Sequence, residues 1–276
     1  MNKLILPAAA WMLFAAIAAG LYLFSGHIFF LFNFIYIGTM LALGLYLFRQ
    51  GYKHARRVTQ FGVGLYMLVM PGLIAGENVQ LSGFFYFLYL GVFQGAVIHY
   101  AVAKIAGPLI FGRGWCGYAC WTAMVLDLLP FKIPRTHERK PKLGYLRYFV
   151  FAVTLLFVVF MFAFNSAHIE RVMYIAFIAG NVVYYATGIA FAYYFRDNRA
   201  FCKYFCPITV FLKPMSYYSI VRVKKAEDKC INCNKCVSVC PMDVDVKENS
   251  RKRKNSTECI LCGECIRSCP KDALRL

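Results

Sequence analysis

Acidic residues are scarce in this chain: 13 Asp and Glu stand against 31 Lys and Arg over 276 residues, a formal net charge of +18. Histidine is scarcer still, five in all, and only His99 falls well inside an apolar run, so facing axial ligands for haem b have no clear source. C-x-x-C-H does not occur, which excludes covalently attached haem c. Neither G-x-G-x-x-G nor a Walker sequence is present, so no nucleotide cofactor is expected. The only basic cluster outside the loops between apolar runs is Arg251-Lys252-Arg253-Lys254. That is too little for a nucleic-acid face, and no nucleic-acid partner is expected. The tetrad is read as lying against anionic lipid head groups, docking an acidic electron carrier, or forming a plain solvated loop.

Apolar residues, by contrast, make up 60% of the chain, with 26 Phe and 19 Tyr, a composition that belongs to membrane proteins. Six runs have spanning length: Leu4 to Phe24, Ile28 to Phe48, Val58 to Gly76, Leu81 to Ala106, Tyr145 to Phe164 and Val172 to Phe195. The third is the weakest, being short and carrying Pro71, which a membrane helix tolerates when its neighbours satisfy the freed carbonyl. The first run is too long for a signal-peptide core and is followed at once by the second, so it reads as half of a helical hairpin and not as a cleaved leader. Arg49, Lys53, Arg56 and Arg57 separate runs two and three, and Arg113, Lys132, Arg135, Arg139, Lys140 and Lys142 separate runs four and five; the alternate connections are nearly bare of cations. The positive-inside rule then puts both termini in the cytoplasm of a multi-pass protein of a prokaryotic inner membrane.

All twelve cysteines fall into motifs. Cys230-x2-Cys233-x2-Cys236-x3-Cys240-Pro241 and Cys259-x2-Cys262-x2-Cys265-x3-Cys269-Pro270 repeat the run that holds cubane clusters in bacterial two-cluster ferredoxins. Three thiolates on a tight loop cap one cube, and the fourth cysteine, turned away by proline, reaches the other. The expected ligand sets are crossed: Cys230, Cys233, Cys236 and Cys269 for one 4Fe-4S cluster, and Cys259, Cys262, Cys265 and Cys240 for the second. Structural zinc does not ask for a third cysteine after two more residues, and disulfides do not suit a cytoplasmic unit.

The other four cysteines form two C-x3-C pairs in similar surroundings, Trp115-Cys116-Gly117-Tyr118-Ala119-Cys120 and Phe201-Cys202-Lys203-Tyr204-Phe205-Cys206. Each follows a run that arrives at the basic side, so runs three and four correspond to runs five and six, and the first two runs stand outside this internal repeat. On a helical turn each pair would present both thiols to one side. Four thiolates could hold a further iron-sulfur cluster or a metal ion such as copper or zinc, or serve as a dithiol relay; small buried cysteines without chemistry are the bland alternative. Polar residues within or beside the apolar runs, and so candidates for a quinone site, are Glu77, Gln94, His99, Asn165, His168 and Glu170. Helix packing for His99 and solvation for His168 and Glu170 are the alternatives to that role.

These motifs together resemble the NapH/MauN group of membrane-bound polyferredoxins. They are also similar to YccM-like proteins and to the C-terminal part of NosR proteins. The resemblance covers roughly residues 58 to 276. Cys202, Cys206 and Pro207 match the group's C-x3-C-P motif, whereas Cys116 and Cys120 are followed by Trp121. The resemblance implies a quinol dehydrogenase-like subunit passing electrons between the quinone pool and a redox partner protein. Copper reduction for maturation of another enzyme, suggested by the related CcoG-like proteins, and redox sensing or assembly are the other readings.

The expected fold is a polytopic α-helical membrane protein of about six spans, two of its hairpins repeated, ending in a small α+β two-cluster ferredoxin-like domain. The expected division is 1–57 for an N-terminal hairpin and basic loop, 58–220 for a four-span core with both C-x3-C motifs, and 221–276 for the ferredoxin domain.

Overall fold

The structure is a computed structural model describing residues 4–93, 95–164 and 168–276. Gln94 and Asn165 therefore lie outside the described residues. The molecule is mostly helical, with a small unit of turns and short helices at its C-terminal end. Helices α1 (Ile5–Ser25) and α2 (Ile28–Arg49) form a hairpin. Gly26, at φ +71°, closes α1 through its N–H to the Tyr22 carbonyl, a left-handed cap that glycine adopts without side-chain strain. Helix α3 (Ala55–Ile74) follows, and its last turns widen to π geometry over Leu68–Ile74 around Pro71, where a missing N–H cannot join the regular ladder. Small residues bring these helices close. An added Cβ at Gly44 would strike the Thr59 side chain, and one at Gly38 would strike Phe14, the way apolar helices pack where no hydrophobic effect drives them together.

The fourth apolar run departs from expectation. It is not one helix from Leu81 to Ala106: α4 (Leu81–Tyr89) ends in a turn with Gly91 at φ +69°, and α5 (Gly95–Phe111) starts afresh. Uniformly apolar residues hide such a break, because hydropathy counts composition and not direction. Before α4 the backbone is unwound from Ala75 to Gln80, and side chains satisfy it. Asn78 Nδ2 donates to the Met173 carbonyl at 2.8 Å, and Asn78 Oδ1 accepts from the Gln80 N–H at 3.1 Å. Helices α6 (Leu146–Ala163) and α7 (Ile169–Phe195) complete the set. Among the described residues five helices are long and apolar enough to cross a membrane, and α5 is a shorter apolar helix.

In the C-terminal unit a two-residue antiparallel pairing, Lys224 to Arg275 and Lys225 to Leu274, closes the ends. The two cysteine runs have one backbone in duplicate. Asn232 and Leu261 share φ near +55° and +51°, Asn234 and Gly263 share +61° and +75°, and Asp243 and Asp272 share +53° and +47°. A short helix follows each set of turns, Lys235–Ser238 and Glu264–Arg267.

This unit does not hang free. Cys116, Phe201, Cys202 and Leu212 share one apolar core with Met242, Val244, Val246 and Ile260. Buried charge pins the same junction. Glu258, 1% exposed, pairs with Arg113 and lies 3.3 Å from Arg139, 3.4 Å from Arg147 and 3.5 Å from Lys213. Asp243 meets Arg139 at 3.1 Å and Lys203 at 2.7 Å. Half of the basic tetrad is also turned inward. Arg251 donates to the Tyr217 and Ser219 carbonyls at 2.7 and 2.9 Å, and buried Arg253 donates to the Val223 carbonyl at 2.9 Å. These two arginines clip the unit to the segment before it, which leaves Lys252 and Lys254 as the outward members of the cluster.

Replacing Glu258 with Ala leaves Arg113 and Arg147 buried beside other cations without their carboxylate. The expected cost is about 3–5 kcal/mol, read as a lowered unfolding temperature in detergent and as faster proteolytic release of the segment after Tyr218.

Candidate iron-sulfur site

The inner cysteines sit where two equivalent short helices end. Gly114–Tyr118 carries Cys116, and Ala200–Tyr204 carries Cys202. Cys120 and Cys206 lie just beyond those helices, Cys120 with extended backbone (φ −77°, ψ 118°). The expectation of two thiols on one continuous helical turn is corrected accordingly: the helix stops between them. Burial, reinforced by the neighbouring Cys202, Cys116 and Cys120, holds the Cys206 thiol well above its ordinary value.

What sequence reading missed is a cation three residues before each pair: Arg113-x-x-Cys116 and Arg199-x-x-Cys202. The structure swaps their partners. Arg113 Nη2 donates to the Cys202 carbonyl at 3.4 Å, while Arg199 Nη1 donates to the Cys116 carbonyl at 3.1 Å and lies 3.9 Å from Cys202 Sγ. Each repeat's arginine thus holds the other repeat's cysteine loop. Both guanidinium groups are fully buried, and Asp127 fixes Arg199 at 2.5 Å while also pairing with Arg56 at 2.6 Å. Lys104, buried with its ammonium 5.0 Å from the Trp115 ring centre, acts on Cys120 as well. A quartet of thiols beside buried cations suits a thiolate-ligated centre of net negative charge: Arg113 and Arg199 already pair with Glu258 and Asp127, and buried Lys104 adds a further positive charge.

The outer eight cysteines gather in two groups. One cavity is lined by Cys230, Cys233, Cys236 and Cys269, and another by Cys240, Cys259, Cys262 and Cys265. Their backbone surroundings match too: Val244 N–H donates to Cys240 Sγ, and Ala273 N–H to Cys269 Sγ, both at 3.3 Å. Such N–H···S bonds stabilise a sulfur that carries negative charge. The second group abuts the inner quartet. A Cβ on Gly117 would lie 2.4 Å from the Ile260 carbonyl, so only glycine allows this approach, and Tyr118 Oη donates to the Leu261 carbonyl at 3.0 Å.

Without a bound metal the thiols are reluctant to ionise. Burial, reinforced by Cys120 and Cys116 and opposed by Arg199, pushes Cys202 from 9.0 up to about 11. Burial pushes Cys240 up to about 12 and Cys259 up to about 11.

Cavities lined by cysteines in ferredoxin-type spacing, joined to helices of membrane-spanning length, define a ferredoxin-like iron-sulfur electron-transfer protein. Comparison with known proteins agrees. A 4Fe-4S dicluster domain model matches residues 222–270, and a 4Fe-4S binding domain model matches twice, over 95–141 and 179–226. Each copy of the second contains one C-x3-C pair with its preceding arginine.

The chain belongs to the same family as the uncharacterized protein MJ0750 of Methanocaldococcus jannaschii, to which it is 30% identical over 165 residues, 56% of this chain and 69% of the relative. It is 26% identical over 186 residues to the uncharacterized protein MJ0749 of that organism, covering 64% of this chain and 70% of the relative. A stretch of 48 residues, 17% of each chain, is 40% identical to the methylamine utilization ferredoxin-type protein MauN of Paracoccus denitrificans. No solved structure matches the chain significantly.

The pH behaviour of the iron-free chain follows from the raised thiols. A folded state that holds thiol protons more tightly than the unfolded state keeps that advantage below pH 9 and loses it as pH climbs towards 11. Iron-free protein should therefore unfold at falling temperature above pH 9. At pH 8, alkylation mapped by mass spectrometry should mark exposed Cys233 well before buried Cys202. Equal labelling of the two would contradict the buried site.

Proposed function

We propose that this protein carries electrons between a membrane quinone pool and a redox partner protein through three iron-sulfur centres. Cys230, Cys233, Cys236 and Cys269 hold one 4Fe-4S cluster, and Cys259, Cys262, Cys265 and Cys240 hold a second. Cys116, Cys120, Cys202 and Cys206 hold the third, at the foot of the apolar helices. The observation that carries this reading is the junction: Cys116, Cys202 and Cys206 of the inner quartet share one core with the second outer group, with Gly117 against Ile260. Bound to thiolates, such clusters supply one-electron transfer.

The chain's own groups set the conditions for it. Arg113 and Arg199 hold the two inner loops together and offset the negative charge that each added electron brings. Tyr118 and Gly117 keep the inner loop against the outer run, and the shared apolar core excludes water between them. The Lys and Arg of the loops joining α2 to α3 and α5 to α6 support a cytoplasmic position for the ferredoxin unit and both termini, in the inner membrane of a prokaryotic cell. The partner protein meets the outermost group, where Cys233 and Ile231 are exposed.

The test is to purify the chain anaerobically, count iron and sulfide, and add quinol while following the cluster absorbance. Bleaching is expected; its absence with both a benzoquinol and a naphthoquinol, in protein that dithionite bleaches fully, would refute the quinone reading. Cys202→Ser should lower the iron content by one cluster and spare the other two. Loss of all iron would refute the division into three sets.

A further inference from the structure

A cavity bounded by α1, α2, α3 and α5 reaches from the apolar helices to the inner cysteine loop. Most of its wall is apolar, including Phe14, Phe30, Ile37, Met67 and Val102. Four polar residues break it: Asn33, Glu77, His99 and Trp115. Three of these present a buried polar atom with no hydrogen-bond partner among the described residues: Glu77 Oε2, His99 Nε2 and Trp115 Nε1. His99 is 8% exposed and Trp115 6%, and their rings stand 5.4 Å apart, edge to face.

An orphaned buried polar atom costs about 1–3 kcal/mol. Three such atoms on residues that line one apolar cavity suit a ligand with polar oxygens and an apolar body. Glu77 is held there by close packing, since a Cβ on Gly95 would lie 2.3 Å from its Oε2. Trp115 is the residue before Cys116, so a ligand meeting its indole lies one residue from the inner quartet. A ligand that enters between apolar helices, offers oxygens to a carboxylate, an imidazole and an indole N–H, and adjoins a thiol-lined redox centre has the chemistry of a lipid-soluble quinone.

We propose that this cavity is the head-group site of a membrane quinone, with His99 Nε2 and the Glu77 carboxylate accepting the two hydroxyl protons of the hydroquinone. The inference rests on the electron-transfer reading above and assigns that reading its substrate site. Oxidation of one hydroquinone breaks two O–H bonds and leaves two carbonyls. Of the two protons, one goes to His99 and one to Glu77, and the two electrons go singly to the iron-sulfur centres. Trp115 Nε1 donates to a quinone oxygen and orients the ring. In the opposite direction the same two groups return the protons. The free volume is about 40 Å³, room for water alone, so the ring enters as Phe29 and Phe30, in the first turn of α2, swing aside.

The test uses the cluster-loaded full chain in two arms. In the first, a photoreactive azidobenzoquinone is irradiated with the wild-type protein and the labelled peptide is mapped. Label on α5, on Trp115, or on the first turns of α2 is expected; label confined to other segments overturns the site. In the second, His99→Gln and Glu77→Gln are compared with wild type for quinol-driven bleaching, with dithionite bleaching as the measure of intact clusters. Each should slow quinol bleaching at least tenfold at full dithionite amplitude, and wild-type rates in both variants overturn the assignment of proton acceptors. Should a variant lose its clusters, Val102→Phe, which fills the cavity from its wall, replaces it with the same expected loss. A wild-type chain that takes the label in this cavity yet is not bleached by quinol retains the site and loses the electron-transfer reading. A chain bleached by quinol but labelled elsewhere retains that reading and loses the site.

Discussion

Glu258 is the charge on which the arrangement turns. It is one carboxylate, almost wholly buried, set among Arg113, Arg139, Arg147 and Lys213. Removing a charge from water costs several kcal/mol, and the cost is recovered only where geometry and further hydrogen bonds are good. Here the recovery is positional. Arg113 comes from the first C-x3-C loop, Arg139 from the loop before α6, Arg147 from α6 and Lys213 from the helix after the second C-x3-C loop. A single acidic side chain therefore ties the ferredoxin unit to both repeats at once. The chain has few acids, and four of them, Asp127, Asp197, Asp243 and Glu258, are buried at this junction.

The same economy explains the inner site. Cations outnumber acids around Cys116 and Cys202, with Arg113, Arg199 and Lys104 all buried nearby. That excess is a poor environment for a bare metal cation and a good one for a thiolate-bound centre of net negative charge. Because each arginine holds the opposite repeat's loop, neither repeat completes its site alone, and the pseudo-symmetry of the sequence becomes a mutual dependence in space. The close contact of Gly117 with Ile260 then sets the inner loop against the outer run. Electron transfer over short distances needs such an approach more than it needs any one side chain.

Much of this was legible in the sequence. The spacing of the outer eight cysteines leads to an expectation of two crossed sets, and the same residues line two cavities. The apolar runs gave the long helices to within a few residues, apart from the fourth. The repeat of C-x3-C is visible, and so is the arginine three residues ahead of each pair. Less visible were the break at Gly91, which apolar neighbours conceal, and the inward turn of Arg251 and Arg253, which looked like part of an exposed basic patch.

What sequence alone determined are properties set by local spacing and composition: which cysteines share a ferredoxin-type run, which segments are apolar and long enough to span a membrane, and which loops carry the cations. Tertiary structure decided the rest. Residues far apart in the chain had to meet before Arg113 could hold the Cys202 loop, before Glu258 could find its four cations, and before Glu77, His99 and Trp115 could line one cavity. Those meetings depend on how helices cross and where backbones touch. Such contacts are set by packing between distant segments, and no spacing within a single segment encodes them.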